Sequence, residues 1–314
     1  MIPVEEIRRA REVLEGTAIR TPLVRLDVDA DAEIWLKLEV LQPVRSFKIR
    51  GAGNAILQAS DAELADGVVT ASAGNMAQGL AYIARRRGVP ATIVVPEHAP
   101  QAKLDAIARY GGRAIKVPYD EWWNTLVTGS YPGVAGLFVH PVADDRVMAG
   151  NGTIGLELLD QLDGFDAVVV PYGGGGLVTG IASAVKATRP EVRFYSAEPE
   201  TGAPAAATLA AGGVATAVEY TPSFVDGSGS RELIPRVWDH ASKLLDGAFA
   251  VALGDVADAV RLLAERTRVI PEGAGALALA AALRHDVGRK VVCVVSGGNI
   301  DTAVLARILE GETP

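Results

Sequence analysis

The sequence predicts an α/β protein built from parallel sheets with helices on both faces. Three observations carry that expectation. Short β-branched runs alternate with longer helical periods through most of the chain. Those runs are apolar throughout, as strands buried on both sides should be. Three of them pass into a turn of small and polar residues that opens a helix. Nine or so strands are many for one open sheet, so two α/β units are expected.

In chain order the strand candidates are IWLKL (34–38), GVVTA (67–71), ATIVVP (91–96), RAIKV (113–117), LFVH (137–140), DAVVVP (166–171), VRFYSAE (192–198), AFAVAL (248–253) and KVVCVVS (290–296). The four from GVVTA to LFVH read as a smaller unit interrupting a larger one, with breaks near residues 57 and 142. One helix is expected from Asn75 to Arg87, closed by Gly88 and Pro90. A second runs from Leu177 to Thr188, ending before Pro190, and a third from Asp255 to Arg266. Arg85, Arg86 and Arg87 fall in a last helical turn, where cations complement the helix dipole on a solvated face.

The 314-residue chain is 49% hydrophobic, ample for a full core, and its formal net charge of −8 argues against a grip on nucleic acid or anionic lipid. Cys293 is the only cysteine, which rules out an intrachain disulfide and a cysteine zinc site and fits a reducing compartment. The opening MIPVEEIRRAREVLEG has acids and arginines at helical spacing and lacks the apolar region of a secretory leader. No stretch approaches the ~20 apolar residues of a membrane span. A cytoplasmic protein with neither nucleic acid nor membrane as partner is expected.

In DAVVVPYGGGGLVTGIASAVKATR, four consecutive glycines, Gly173 to Gly176, follow a strand and open a helix. Such a turn lets several N–H groups converge beside the positive helix end, forming a phosphate cradle. It is not a Walker loop, which needs a Lys and a Ser or Thr after its last glycine, and it does not satisfy G-x-G-x-x-G. Glu198 ends the next strand about where a ribose-binding acid would lie, so a nucleotide-binding oxidoreductase is a competing reading. TASAGNMAQGLAY carries Ser72, Gly74, Asn75 and Gln78 at a helix start, which suits a substrate carboxylate but equally an N-cap. VVCVVSGGNID puts Ser296 at the carboxyl end of a buried strand, the ligand-binding edge of such sheets. Lys48, in SFKIRGAG, then has a candidate task. Its amine can condense with a carbonyl, and a phosphorylated aldehyde fits this set of groups. Phe47 beside it presents an apolar face to a flat ring.

SFKIRGA, SAGNMAQG, GNGTIGLE, PYGGGGLVTG, PEGAGALALAA and SGGNID occur in the order and approximate spacing of fold type II pyridoxal-phosphate enzymes. From about residue 20 to 303 the chain most resembles the serine/threonine dehydratase and serine racemase group. The resemblance implies a tryptophan synthase β-like fold with a large cofactor-binding domain (1–56 and 143–314) and a small mobile domain (57–142), assembled as a homodimer. Pyridoxal 5'-phosphate is the implied cofactor and a small-molecule amino acid the implied substrate. Lys48 would form the Schiff base and shuttle the Cα proton, Phe47 would pack against the ring, and Asn75 would bond the phenolic oxygen. Gly173, Gly174, Gly175, Gly176 and Leu177 would bind the phosphate. Ser296 would face the pyridine nitrogen, and Glu272 matches an acid near the ring. Ser72, Ala73, Gly74, Asn75 and Met76 would form the substrate-carboxylate loop.

The implied reaction is β-elimination from a β-hydroxy amino acid such as L-threonine or L-serine, giving a 2-oxo acid and ammonia. Cysteine synthase-like β-replacement and amino-acid racemisation are the neighbouring activities. Ala73 stands where racemases of the group carry a serine, which favours elimination. Met76 replaces a common histidine. Glu198 matches one ligand of a divalent-metal site in relatives, but Pro204 stands where its aspartate partner belongs, so no metal is expected. Trp122 and Trp123, adjacent on a helical pattern, point in different directions and read chiefly as packing residues. Asp226 in FVDGSGS matches a family position without a clear role.

Overall fold

A computed structural model describes residues 1–314. Its ten strands are β1 (Leu23–Arg25), β2 (Glu33–Leu38), β3 (Val68–Ala71), β4 (Ala91–Pro96), β5 (Arg113–Val117), β6 (Leu137–Phe138), β7 (Ala167–Pro171), β8 (Arg193–Pro199), β9 (Gly247–Val251) and β10 (Lys290–Val295). They form a six-stranded sheet, β1-β2-β10-β7-β8-β9, and a four-stranded sheet, β5-β4-β3-β6. The larger sheet joins both ends of the chain, because β2 pairs in parallel with β10, Leu36 opposite Cys293. All nine expected strands are present. The tenth, β1, is a three-residue strand that runs antiparallel to β2.

Burial corrects one expectation. β3 and β7 are buried at every residue, but β5 exposes Arg113 and Lys116, and β9 exposes Ala250. These two lie at sheet edges, and in β5 the charged Arg113 and Lys116 discourage further pairing.

The helix Asn75–Arg87 has the expected bounds, with Gly88 left-handed at φ 75° closing it. The other two expected helices run from Gly176 to Lys186 and from Leu253 to Thr267. Arg85, Arg86 and Arg87 are exposed in their last turn, and Arg87 pairs with Asp61. No helix is long and apolar enough to cross a membrane.

Helix Asp145–Gln161 lies between helices Lys48–Leu57 and Gly176–Lys186. Glycines let their backbones touch. A Cβ on Gly150 would stand 2.3 Å from the Arg50 carbonyl oxygen, and one on Gly180 would stand 2.2 Å from that of Met148. The glycines of GNGTIGLE are therefore packing glycines, and they help fix the helix that begins with Lys48. Arg50 completes the fixation. Its buried guanidinium donates to Glu39 at 2.8 Å and to Glu157 at 2.6 Å, while Lys37 donates to Glu157 at 2.5 Å. Two cations and two carboxylates thus balance in the interior.

Candidate functional site

The turns after β3, β7 and β10 meet at one cavity of about 430 Å³, at the carboxyl edges of both sheets. Lys48 is the first residue of its helix. The turn before it is tied to the end of β10, since Phe47 N–H donates to the Ser296 carbonyl at 3.0 Å and Ser46 bridges Gly297. Lys48 Nζ donates to the Pro141 carbonyl at 2.9 Å and lies 5.1 Å from the Phe47 ring centroid. Burial brings the ammonium down to about 8, with the Glu272 carboxylate pulling in the opposite direction.

Across the cavity, none of the peptide N–H groups of Gly173, Gly174, Gly175, Gly176 and Leu177 donates to a protein acceptor. The turn is close-packed beneath. A Cβ on Gly174 would lie 2.7 Å from Val142 Cγ2, and one on Gly175, at φ +84°, 2.7 Å from Tyr172 Oη. Only glycine fits there. The result is a row of unsatisfied donors at a helix start, a strong anion cradle.

A second cradle lies at the start of helix Asn75–Arg87. Gly74 N–H donates to Ser72 Oγ at 3.2 Å, whereas the N–H groups of Ala73, Asn75 and Met76 have no protein acceptor. Met76 contributes only backbone here, because its side chain is buried in the core of the smaller sheet. The Asn75 amide is held at both ends: its Nδ2 donates to Glu272 Oε1 at 2.6 Å, and its Oδ1 accepts from Asn299 Nδ2 at 2.7 Å. Burial, reinforced by Asp226, raises the Glu272 carboxyl to about 7 against the Asn75 hydrogen bond. Ser296 Oγ lines the cavity without a protein hydrogen-bond partner.

The predicted lysine, cofactor and carboxylate-loop residues Phe47, Lys48, Ser72 to Met76, Gly173 to Leu177, Glu272 and Ser296 all line this cavity, whereas Gln78 does not. Trp122 lines it too, while Trp123 faces a separate groove. Glu198 is elsewhere. Its buried carboxylate accepts from the N–H groups of Ala205 and Ala206 at 3.2 and 2.9 Å, and burial raises its carboxyl to about 7. A ribose-binding role for it has no support.

Sequence reasoning missed Asn299, although it sits inside the SGGNID segment, and it missed Pro141 and Val142. It also missed His140, whose Nδ1 accepts from Val142 and Ala143 N–H groups at 3.1 and 2.9 Å. Burial and the nearby Lys48 lower that imidazole to about 4, so it stays neutral with its proton on Nε2. Pro141 and Val142 line the cavity with His140 behind them, and nothing in the local pattern there signals this wall.

Residues 14–297 match the family described as pyridoxal-phosphate dependent enzyme. The chain is 40% identical to an L-threonine ammonia-lyase of Thermotoga maritima, over 98% of this chain and 78% of that protein. It is 34% identical to a beta-hydroxyaspartate dehydratase of Paracoccus denitrificans, over 95% of this chain and 96% of that protein. Among solved structures, maize serine racemase superposes with a TM-score of 0.89 at 33% identity, covering 98% of this chain and 96% of that one.

Proposed function

Because the chain belongs to the pyridoxal-phosphate dependent enzyme family, we propose that it is an ammonia-lyase acting on L-threonine or L-serine, with a 2-oxo acid and ammonia as products. One observation carries this reading: five successive N–H groups without acceptors share a cavity with a half-buried lysine amine of lowered pKa. The residues present fit the cofactor. The glycine cradle suits its phosphate, Lys48 its aldehyde, and the unpartnered Ser296 hydroxyl its ring nitrogen.

When bound, the cofactor supplies an aldehyde that takes up amines and a conjugated ring that draws electron density from the substrate Cα. Gly173 to Leu177 hold the phosphate through backbone donors and the positive helix end. Phe47, which lines the cavity beside Lys48, would flank the ring. Glu272 and Asn299 orient the Asn75 amide, leaving one of its hydrogens free for the phenolic oxygen. The N–H groups of Ala73, Asn75 and Met76 hold the substrate carboxylate. The Lys48 amine, titrating at about 8, is suited to take and return the Cα proton near neutral pH. Ser296 would offer the ring nitrogen a neutral hydroxyl rather than a carboxylate, a partner suited to loss of the β-hydroxyl.

We assign the four-stranded sheet and its helices to a domain of residues 57–142 that closes over substrate and excludes water, and residues 1–56 and 143–314 to a large cofactor-binding domain. The family resemblance also suggests a cytoplasmic homodimer. Elimination is favoured over racemisation by Ala73, whose methyl group lines the cavity and has no proton to give. The test is direct. Purified protein mixed with pyridoxal 5'-phosphate should develop a band at about 410–420 nm and release 2-oxo acid from L-threonine or L-serine. Absence of both would sink the proposal, and sulfide-dependent loss of the oxo acid would identify β-replacement instead.

A further inference from the structure

The cavity mouth holds a charge arrangement that the reaction above does not use. Lys103, on helix Gln101–Arg109 of the four-stranded unit, reaches across to Asp226, in a loop of the six-stranded one, and the two form an ion pair. Both line the cavity, and no arginine does. Apart from Lys48, Lys103 is thus its only lysine or arginine. A substrate's α-carboxylate has the acceptorless N–H groups of the second cradle. A second carboxylate, on Cβ, would have Lys103 as its only side-chain cation apart from Lys48, with the exposed His98 nearby.

We propose that Asp226 is a specificity-determining residue: it occupies Lys103 at the mouth, so neutral β-hydroxy amino acids are accepted and those with a β-carboxylate are excluded. The proposal rests on the elimination reading and adds the charge of the substrate side chain. The ion pair removes the attractive partner, and the Asp226 and Glu272 carboxyl groups supply the repulsive element, the two devices by which a site discriminates. The field of Asp226 does reach inward, since it helps raise both Glu272 and Tyr220, which line the same cavity. The pair is only partly shielded, at 33% and 48% side-chain exposure, so its effect is one of preference rather than complete exclusion.

The experiment compares kcat/KM for L-threonine and β-hydroxyaspartate in the holoenzyme and its Asp226→Asn, Lys103→Met and doubly substituted forms. The wild type should favour threonine. Asp226→Asn should shift the ratio toward β-hydroxyaspartate by about tenfold or more, chiefly through KM, and Lys103→Met in the same chain should remove most of that gain, leaving only the part due to relieved repulsion. A gain of this kind is not what structural damage produces. Calorimetric titration with succinate supplies a readout independent of turnover, with binding about tenfold tighter in Asp226→Asn than in wild type. Equal use of the two substrates by the wild type would overturn the inference, as would unchanged succinate binding in a folded Asp226→Asn protein. So would a gain left undiminished by Lys103→Met. Should the wild type release 2-oxo acid from neither L-threonine nor L-serine, the reaction would be misassigned, and succinate binding would still decide the role of Asp226.

Discussion

Replacing Glu272 with glutamine should make the Lys48 amine more available, not less. In the wild type, burial outweighs the Glu272 carboxylate and leaves Lys48 titrating at about 8 instead of 10.5. At about pH 7 roughly one-tenth of such an amine is free, against about one part in three thousand for an ordinary lysine. Only the free amine attacks an aldehyde. Cofactor uptake by the apoprotein should therefore rise about tenfold per pH unit below the inflection and level off above it. The Glu272 anion favours the ammonium, so Glu272→Gln lowers the Lys48 pKa further. A shift of about one unit is the order expected for one nearby charge. The amide oxygen can still accept from Asn75. Stopped-flow absorbance of cofactor uptake across pH reads both effects: several-fold faster uptake near pH 7 in the variant and similar rates near pH 9. Glu272 itself titrates at about 7, so the wild-type inflections belong to the coupled pair. A wild-type inflection near 10, or one that moves upward in Glu272→Gln, would refute the reasoning.

Lys48→Met should stabilise the apoprotein. A lysine depressed from 10.5 to about 8 destabilises the fold below pH 8, and the penalty fades as pH rises to 10.5. Thermal melts should show a gain of about 1–3 kcal/mol near pH 7 that disappears in strong alkali. Gly175→Ala combines a left-handed φ of +84° with a Cβ 2.7 Å from the buried Tyr172 Oη. It should cost about 2–4 kcal/mol and weaken cofactor binding about tenfold or more, measured by fluorescence titration. Gly213→Ala, at φ +92° with open space around it, should show the backbone cost alone and unchanged cofactor affinity. Arg50→Met should destabilise the protein by about 3–5 kcal/mol by leaving Glu39 and Glu157 without their shared guanidinium. Burial raises the Glu39 carboxyl, but Arg50, helped by Lys37 and the Thr21 hydroxyl, holds the group below its usual range. In the wild type that contribution is present above pH 4.5 and is lost on acidification through the folded value. Without Arg50 the sign reverses, and mild acid should relieve part of the variant's deficit in pH-resolved melts.

The larger features were legible because inner strands of parallel sheets are written as continuous apolar runs, and β3, β7 and β10 follow that rule closely. β1 was not. Leu23, Val24 and Arg25 are too few to show a period, and their pairing with β2 is a tertiary fact. Helices Gln101–Arg109 and Tyr119–Thr128 each bury only one residue and carry a weak pattern. At the site, the glycine turn and Lys48 could be read because their chemistry belongs to particular residue types. The Pro141 carbonyl that receives Lys48 could not, since every residue carries that group. Nor could the Asn75 network, whose partners lie 197 and 224 residues away along the chain.

The three cations of VRSFKIR show why the central one is lysine. Arg50 needs a permanent charge, because it satisfies two buried carboxylates and fastens the helix from within. Arg45 serves through its backbone: at φ 56° its carbonyl accepts from Gly298, joining the lysine turn to the loop after β10, while the residue remains exposed. Position 48 needs a charge that can be lost. Burial and the positive end of its own helix both oppose an ammonium there, and its nearest hydrogen-bond acceptor is a neutral carbonyl. A guanidinium in that place would keep its proton throughout the accessible pH range and could neither attack an aldehyde nor accept a proton from carbon. The same packing that makes the site costly for a fixed cation makes it effective for an amine that alternates between its two protonation states.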